Sequence, residues 1–380
     1  MWGGQEQKRV DACDVVVVGA GLVGAAVAAR LVHEGLDTAV LEAQSIAGGA
    51  TGRCAGMVLT GLAGHYNWAV AAYGRQKAQE IWSLTVEGRE RLMEAAERVN
   101  VPVAQVGSLA LAVDEAETEA LEESDTLLRE DGFDVKLSAV DPLERGFRAA
   151  LRHPDDATVD AAALTQALLT TNNVPVHERT EVYDLEQEQN GVRVWARGRT
   201  VFCRAVVLAI NGYAPLFDAY FADKVIPTRS LVLATEPLDE VILGQPCYAD
   251  YGYEYCRQLP DRRLLIGSWR RATHLKKSVR KEEKQETELD DVLHDGLLRF
   301  AQRHFSDVPV KTRSTSRWSG IMGFTPDGLP LVGQLPNLPQ AYFAVGLGGR
   351  GLAWAFVVAE RVVQAVLRDA DPGTGLFGQT

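Results

Sequence analysis

Residues 14–42 constrain this chain more than any other stretch, because they join an apolar run to closely spaced glycines. Asp14-Val15-Val16-Val17-Val18 is short, apolar and β-branched, which suits a strand buried on both faces. Gly19-Ala20-Gly21-Leu22-Val23-Gly24 follows, with the G-x-G-x-x-G spacing that turns a strand tightly into a helix. Gly19 permits the turn, Gly21 leaves room for a pyrophosphate beside the backbone, and Gly24 lets the helix press onto the sheet. The phosphates would sit at the helix N-terminus, at Leu22 and Val23, where free N–H groups and the dipole favour negative charge. The pattern predicts a helix over 22–34 with Gly35 as its stop, then a strand over 38–41 that delivers Glu42, ahead of Ala43 and Gln44. A carboxylate about 20 residues past the glycines is placed to hydrogen-bond a ribose diol. Strand, glycines, helix, strand and acid in that order point to a bound dinucleotide rather than a ligand-free turn. A membrane span over 15–29 is excluded, because three glycines interrupt it and it falls short of the roughly 20 residues a bilayer needs.

At 380 residues the chain exceeds one ordinary core, so two domains are expected. The net charge of -12 argues against a nucleic-acid or anionic-membrane partner. Cys13, Cys54, Cys203, Cys247 and Cys256 are odd in number and lack C-x-x-C spacing, which fits reduced thiols and a cytoplasmic location. Residues 1–8 are polar and lack the apolar centre of a signal peptide. There is no Ser-His-Asp, H-E-x-x-H or metal-ligand cluster, and His65 and His274 read as structural or exposed.

Further along, Gly48-Gly49-Ala50-Thr51-Gly52-Arg53-Cys54-Ala55-Gly56-Met57 is a second glycine-rich passage. Residues 67–100 have helical periodicity in two segments, with Trp68, Ile81, Trp82, Leu92 and Met93 apolar and the tryptophans expected in the core. A strand is predicted over 105–113, and an acidic helix over 115–131 whose charges form a solvated face. A helix over 161–170 leads to short strands at 174–176 and 181–183, a hairpin around Asn190-Gly191, and a buried strand over 205–212 that runs into a glycine. Residues 226–236 and 248–269 read as antiparallel strands that carry Tyr248, Tyr251, Tyr253 and Tyr255. Tyr251, Tyr253 and Tyr255 alternate and would share one face, either an aromatic cage for an amine or a face packed on helices. The charged stretch 276–291 reads as a solvated helix. Near the C-terminus, Thr325-Pro326-Asp327-Gly328-Leu329-Pro330-Leu331-Val332-Gly333 precedes Gly346-Leu347-Gly348-Gly349-Arg350-Gly351-Leu352, a turn that aims N–H groups at one point.

Together these passages resemble the D-amino-acid oxidase-like (DAO) family of FAD-dependent amine and amino-acid oxidoreductases, near its glycine/sarcosine oxidase and γ-glutamylputrescine oxidase-like members, over nearly the whole chain. The resemblance implies an α/β fold (α+β overall). It implies a discontinuous Rossmann-type FAD/NAD(P)-binding domain over 11–64, 150–214 and 316–370, and a substrate domain of antiparallel sheet plus helices over 65–149 and 215–315. It sets Ala50, Thr51, Arg53, Cys54, Gly56 and Met57 along FAD, Val182 near adenine, and Ala209, Asn211 and Gly212 near the cofactor. Gly320, Met322 and the turn Gly348, Gly349, Arg350, Gly351 and Leu352 would border the flavin, with Arg350 either adding positive charge there or lying at the surface. The cysteine and histidine that bind flavin covalently in some members align with Gly320 and Arg53, so FAD is expected to be non-covalent.

The residues expected around the reacting carbon are Tyr253, Tyr255, Met322 and Arg350. The carboxylate anchors of the family, an Arg before T-P-D-G and a Lys after the glycine turn, align with Met322 and Ala353. An amine is therefore the favoured small-molecule substrate, while a carboxylate held by Arg229, Arg317 or Arg350 as a relocated anchor stays open against it. The expected reaction is hydride transfer to flavin, giving an imine that hydrolyses to an aldehyde or ketone and an amine or ammonia, with O2 as acceptor and H2O2 as product. Another acceptor stays open, because the lysine that promotes oxygen reactivity in relatives aligns with Leu265. Two alternatives stand beside this reading: an α-amino-acid oxidase or dehydrogenase that passes electrons to a quinone or other carrier, and a non-catalytic flavin-binding redox sensor.

Overall fold

The computed structural model describes residues 9–269, 283–308, 316–373 and 375–377. Residues 1–8, His274 and the first part of 276–291 lie outside them.

The chain enters through β1 (Arg9–Val18), turns at the three glycines into α1 (Leu22–His33) and returns in β2 (Thr38–Leu41), parallel to β1. Residues 22–29 of α1 are all buried, because small Ala and Gly side chains let neighbours close on every side. The second glycine passage becomes α2 (Ala50–Arg53) and β3 (Met57–Val58). Two helices follow, α3 (Tyr66–Tyr73) and α4 (Arg75–Arg98). Trp82 is core as expected, but Trp68 is 43% exposed, since Tyr66 and Ala69 take the inner face of α3 and turn it outward. The single strand expected over 105–113 is instead β4 (Val103–Ala104) and β5 (Ser108–Leu111), parted at Gly107, where φ is +77°.

The acidic helix is α5 (Glu115–Glu130), capped by the Asp114 side chain. Its charges do not all face water: Glu117 is fully buried, on one stripe with Leu121 and Leu128. Then come β6 (Lys136–Ser138), β7 (Ala150–His153), β8 (Ala157–Val159), α6 (Ala161–Thr171) and β9 (Val176–His177). The hairpin around Asn190-Gly191 is β10 (Val182–Glu188) and β11 (Gly191–Ala196), leading into β12 (Arg199–Leu208). The rest is α7 (Ala214–Phe217), β13 (Ile226–Pro237), β14 (Cys247–Ala249), β15 (Glu254–Gln258), β16 (Arg263–Trp269), α8 (Glu283–His304), β17 (Ser316–Phe324), β18 (Leu331–Leu335), β19 (Leu338–Val345) and α9 (Gly351–Arg368).

The first sheet runs β10-β11-β12-β1-β2-β9, with β19 beside the second half of β12 and β18 beside β19. Its strands β19, β12, β1, β2 and β9 run parallel, as a Rossmann-type unit requires. The second sheet runs β17-β13-β16-β15-β14-β5-β7-β6 and is antiparallel except where β5 meets β14. α8 covers it through Leu293, Leu297 and Phe300. β7 and β17 therefore belong to the second sheet, whereas the sequence division puts 150–153 and 316–324 with the first. Among the described residues, no helix is long and apolar enough to cross a membrane.

Candidate functional site

A cavity of about 510 Å³ opens beyond the carboxyl ends of β1, β2 and β12 and is roofed by β13, β14, β15 and β17. That is where open α/β sheets bind ligands. One end is built from the first glycine turn, with Gly19, Gly21, Leu22 and Val23 in the wall. Gly19 has φ +104°, and a methyl group on it would lie 2.7 Å from Ala209 O. Gly24 lies behind the wall, where a methyl would collide with Gly19 O, so its part is in closing the turn. α1 begins at Gly21 without a side-chain cap or an acid in its first turn, and Thr51 Oγ1 accepts from Leu22 N–H at 3.1 Å.

Glu42, Ala43 and Gln44 wall the same end. Glu42 accepts from Ala20 N–H and Gln44 N–H, both at 2.8 Å, which fixes its carboxylate and leaves lone pairs for a diol. Val182 stands nearby at the start of β10.

The middle of the cavity is lined by Ala50, Thr51, Arg53, Cys54 and Met57. α2 is tied to β17, because Arg53 O accepts from Trp318 Nε1 at 2.9 Å. Cys54 Sγ donates to Thr51 O at 3.1 Å. Gly56 stays behind the wall, where the buried Arg257 donates to Ala55 O at 2.6 Å and Gly56 O at 3.1 Å. Ala209 and Asn211 line the opposite side. Asn211 Oδ1 accepts from Gly346 N–H at 3.1 Å and Leu347 N–H at 3.2 Å, which joins the end of β12 to the C-terminal turn. Gly212 is packed under β17, 2.8 Å from Met322 O were it given a methyl, and does not reach the cavity.

The far end gathers Gly320 and Met322 from β17, Gly348, Gly349, Arg350, Gly351 and Leu352 from the C-terminal turn, and Tyr248 and Tyr255 from the roof. Tyr255 OH lies 3.1 Å from Ser230 Oγ, and burial pushes its phenol up to about 12. Arg350 is no surface residue: it is 7% exposed, its Nε donates to Leu62 O at 2.9 Å, and its guanidinium sits 4.3 Å over the Tyr248 ring.

The tyrosine face differs from expectation. Asp250, Tyr251 and Gly252 have φ of +52°, +55° and +84°, so the chain turns there and the alternation begins only at β15. Tyr251 is exposed, with its ring 5.2 Å from His65, and Tyr253 falls outside the cavity wall. The aromatic partner of Tyr255 is Tyr248, its register neighbour across β14 and β15. Asp followed by Gly two residues later was the turn signal that separates them. His65 is buried against Glu117, with Nε2 3.0 Å from Oε1.

Of the three relocated anchors considered, Arg317 is exposed, Arg229 bonds Ser319 Oγ at 3.1 Å outside the wall, and Arg350 lines the cavity. Ala353 is fully buried outside the wall, with its carbonyl against Gly88 of α4. Leu265 is buried in an apolar cluster with Ala55, Val232 and Ala234.

Two helix N-termini, of α1 and α9, thus face one elongated cavity whose end carries a fixed carboxylate. Neither helix has a side-chain cap or an acid in its first turn, and Gly21 leaves space where a methyl would meet Thr51 Oγ1 at 3.2 Å. These features fit a dinucleotide with an anionic centre and a ribose diol at one end.

Comparison with known proteins agrees with this geometry. The profile of the family described as FAD dependent oxidoreductase (DAO) matches residues 14–365. Gamma-glutamylputrescine oxidoreductase of Escherichia coli is 24% identical over 382 residues, covering 94% of this chain and 84% of that protein. Glycine oxidase of Geobacillus kaustophilus is 26% identical over 353 residues, covering 88% of this chain and 87% of that protein. The crystal structure of glycine oxidase from Geobacillus kaustophilus superposes with a TM-score of 0.76 at 23% identity, covering 97% of this chain and 99% of that chain.

Proposed function

The chain belongs to the DAO family of FAD-dependent oxidoreductases, and on that premise we propose that it oxidises a C–N bond of an amine at the Tyr248, Tyr255 and Arg350 end of its cavity, with O2 as acceptor. FAD, when bound, supplies the acceptor for a hydride from the carbon beside nitrogen, and water then hydrolyses the imine that leaves. The chain's own residues hold and orient. Glu42 would hold the ribose diol, the N-terminus of α1 would hold the phosphates, and the turn from Gly348 to Leu352 would offer N–H groups to the flavin. Non-covalent binding is supported by Arg53 and Gly320, which offer no thiol or imidazole. Tyr255 stays a neutral phenol and serves as a hydrogen-bonding group rather than a base. The five free thiols support a cytoplasmic setting.

The observation that carries this reading is the continuity of one cavity from Glu42 to the Tyr248 and Tyr255 pair, walled by both glycine turns. Met322 in that wall supports an amine over an α-amino acid bound from β17. The test is anaerobic bleaching of the bound flavin by a panel of primary amines, secondary amines, carboxylated amines and α-amino acids, followed by air. Bleaching by amines and fast reoxidation are expected. Slow reoxidation in air with fast transfer to a quinone would replace O2 as acceptor. A flavin that no panel member reduces would support the redox-sensor reading instead.

A further inference from the structure

We infer that Arg257 tunes the cofactor from behind the cavity wall: it is a positioning residue whose uncompensated charge makes the site hold reduced FAD more tightly, relative to oxidised FAD, than a neutral side chain there would. The inference rests on FAD occupying the cavity and not on which amine is oxidised.

Arg257 lies on β15 and is 8% exposed. Its Nη1 donates to Ala55 O at 2.6 Å, Gly56 O at 3.1 Å and Val159 O at 3.4 Å, so one side chain of the second sheet holds both the segment between α2 and β3 and the end of β8. The chain reserves room for it. Gly56 has φ +66°, and a methyl group there would lie 2.5 Å from Arg257 Nη1 and collide with Val159 O. Cys54, Ala55 and Met57 of the same segment line the cavity, so the guanidinium stands directly behind the wall.

This charge has no counter-ion in the protein. Among the described residues no carboxylate is ion-paired with Arg257, whereas the buried Arg89 lies 3.8 Å from both Asp155 and Asp156. Asp160 acts on Arg257 from a distance, but its side chain is exposed and caps α6 by accepting from Ala163 N–H at 2.9 Å. Burial pulls the Arg257 pKa down from its ordinary value, yet a guanidinium keeps its proton at any assay pH. The three carbonyls accept hydrogen bonds and leave the net charge in place. Leu265 stands opposite Arg257 across β15 and β16 and packs with Ala55, Val232 and Ala234 in an apolar cluster. Ala55 and Val232 also line the cavity, so the wall in front of the charge is apolar and screens it weakly. Reduced FAD carries more negative charge than oxidised FAD, and a fixed cation at such a wall stabilises it selectively.

The experiment uses no substrate: it measures the midpoint potential of the bound flavin against a reference dye and the Kd of oxidised FAD by fluorescence quenching. In Arg257→Met the preference for reduced over oxidised FAD is expected to fall about tenfold, which lowers the midpoint potential by about 30 mV. Arg257→Lys keeps the charge and is expected to stay within about threefold of the wild type in that preference, even as its Kd for oxidised FAD rises with the loss of bonds to Ala55 and Gly56. Arg257→Gln keeps donors without charge and is expected to follow Arg257→Met in potential. A potential unchanged in Arg257→Met would overturn the inference, as would an equal drop in Arg257→Met and Arg257→Lys, which would mean lost structure rather than lost charge. If Arg257→Met holds no FAD, Arg257→Lys against Arg257→Gln decides, because equal potentials in those two also overturn it. A wild-type chain that takes up no FAD would overturn the FAD reading and this inference together. A flavin that no amine bleaches, with the shift in potential present, would support Arg257 in this role and remove the amine-oxidising reading alone.

Discussion

A phenol enclosed as Tyr255 is gives up its proton late, because burial penalises the phenolate more than the Ser230 hydrogen bond helps it. With its pKa pushed up to about 12, it is neutral throughout the range in which an enzyme is assayed. The pH profile of flavin reduction should therefore carry no limb from Tyr255 between pH 7 and about 10. Tyr255→Phe removes a hydrogen bond worth about 1 kcal/mol, so kcat/KM should fall by about tenfold or less with the profile unchanged in shape. A basic limb that disappears in Tyr255→Phe would contradict this. The same logic gives the sign for stability: a raised folded pKa favours the folded state below the ordinary phenol value near 10, and that contribution is lost as pH climbs from there towards 12.

At the scale of elements, the buried Glu117 shows how one side chain of α5 holds parts of the chain far from it in sequence. Its Oε1 accepts from Tyr251 N–H at 2.6 Å and lies 3.0 Å from His65 Nε2, while Oε2 accepts from Val113 N–H at 2.9 Å. The turn that begins at Asp250 and puts Gly252 into the cavity wall is thus pinned to α5. Glu117→Ala leaves two backbone donors without their acceptor, and unfolding in urea should show a loss of about 3 kcal/mol. Glu117→Gln, which keeps an acceptor oxygen, should lose less, and KM should rise in the Ala variant as the turn loosens. An unchanged urea midpoint would refute the pinning. The burial of Glu117 was within reach of the sequence: 117, 121, 124 and 128 are spaced four, three and four apart, and all four are buried. What spacing cannot supply is partners distant in the chain. The Glu42 end was legible because its parts lie within residues 14–57 and local rules dictate them. Tyr248 replaced Tyr253 because a cross-strand register, not alternation along one strand, sets which rings meet. The direction of Arg350 depends on Leu62 O, 288 residues away.

For the molecule as a whole, burial makes stability depend on pH and cavity geometry makes it depend on the cofactor. Burial lowers the pKa of both His153 and His304 below the ordinary value, so both resist protonation in the folded state. The unfolded chain takes up those protons near pH 6.5, and stability should fall as pH drops below about 6.5. The urea midpoint should be lower at pH 5.5 than at 7.5, with a smaller drop in His153→Gln. The cofactor prediction follows from the walls of the cavity, which come from α1 and the first sheet on one side and from β13, β14, β15 and β17 of the second sheet on the other. The main core is also shared, since α1, α4, α6 and α9 contribute to one cluster with residues of α5 and Tyr248. A ligand that binds the folded chain alone adds about 2.7 kcal/mol at a hundredfold excess over Kd. Calorimetry should therefore show one transition that moves upward by roughly 5 °C or more as FAD is added to the apoprotein. Two transitions, of which FAD moves just one, would mean that the two sheets unfold separately and that the cavity between them is not held as one unit.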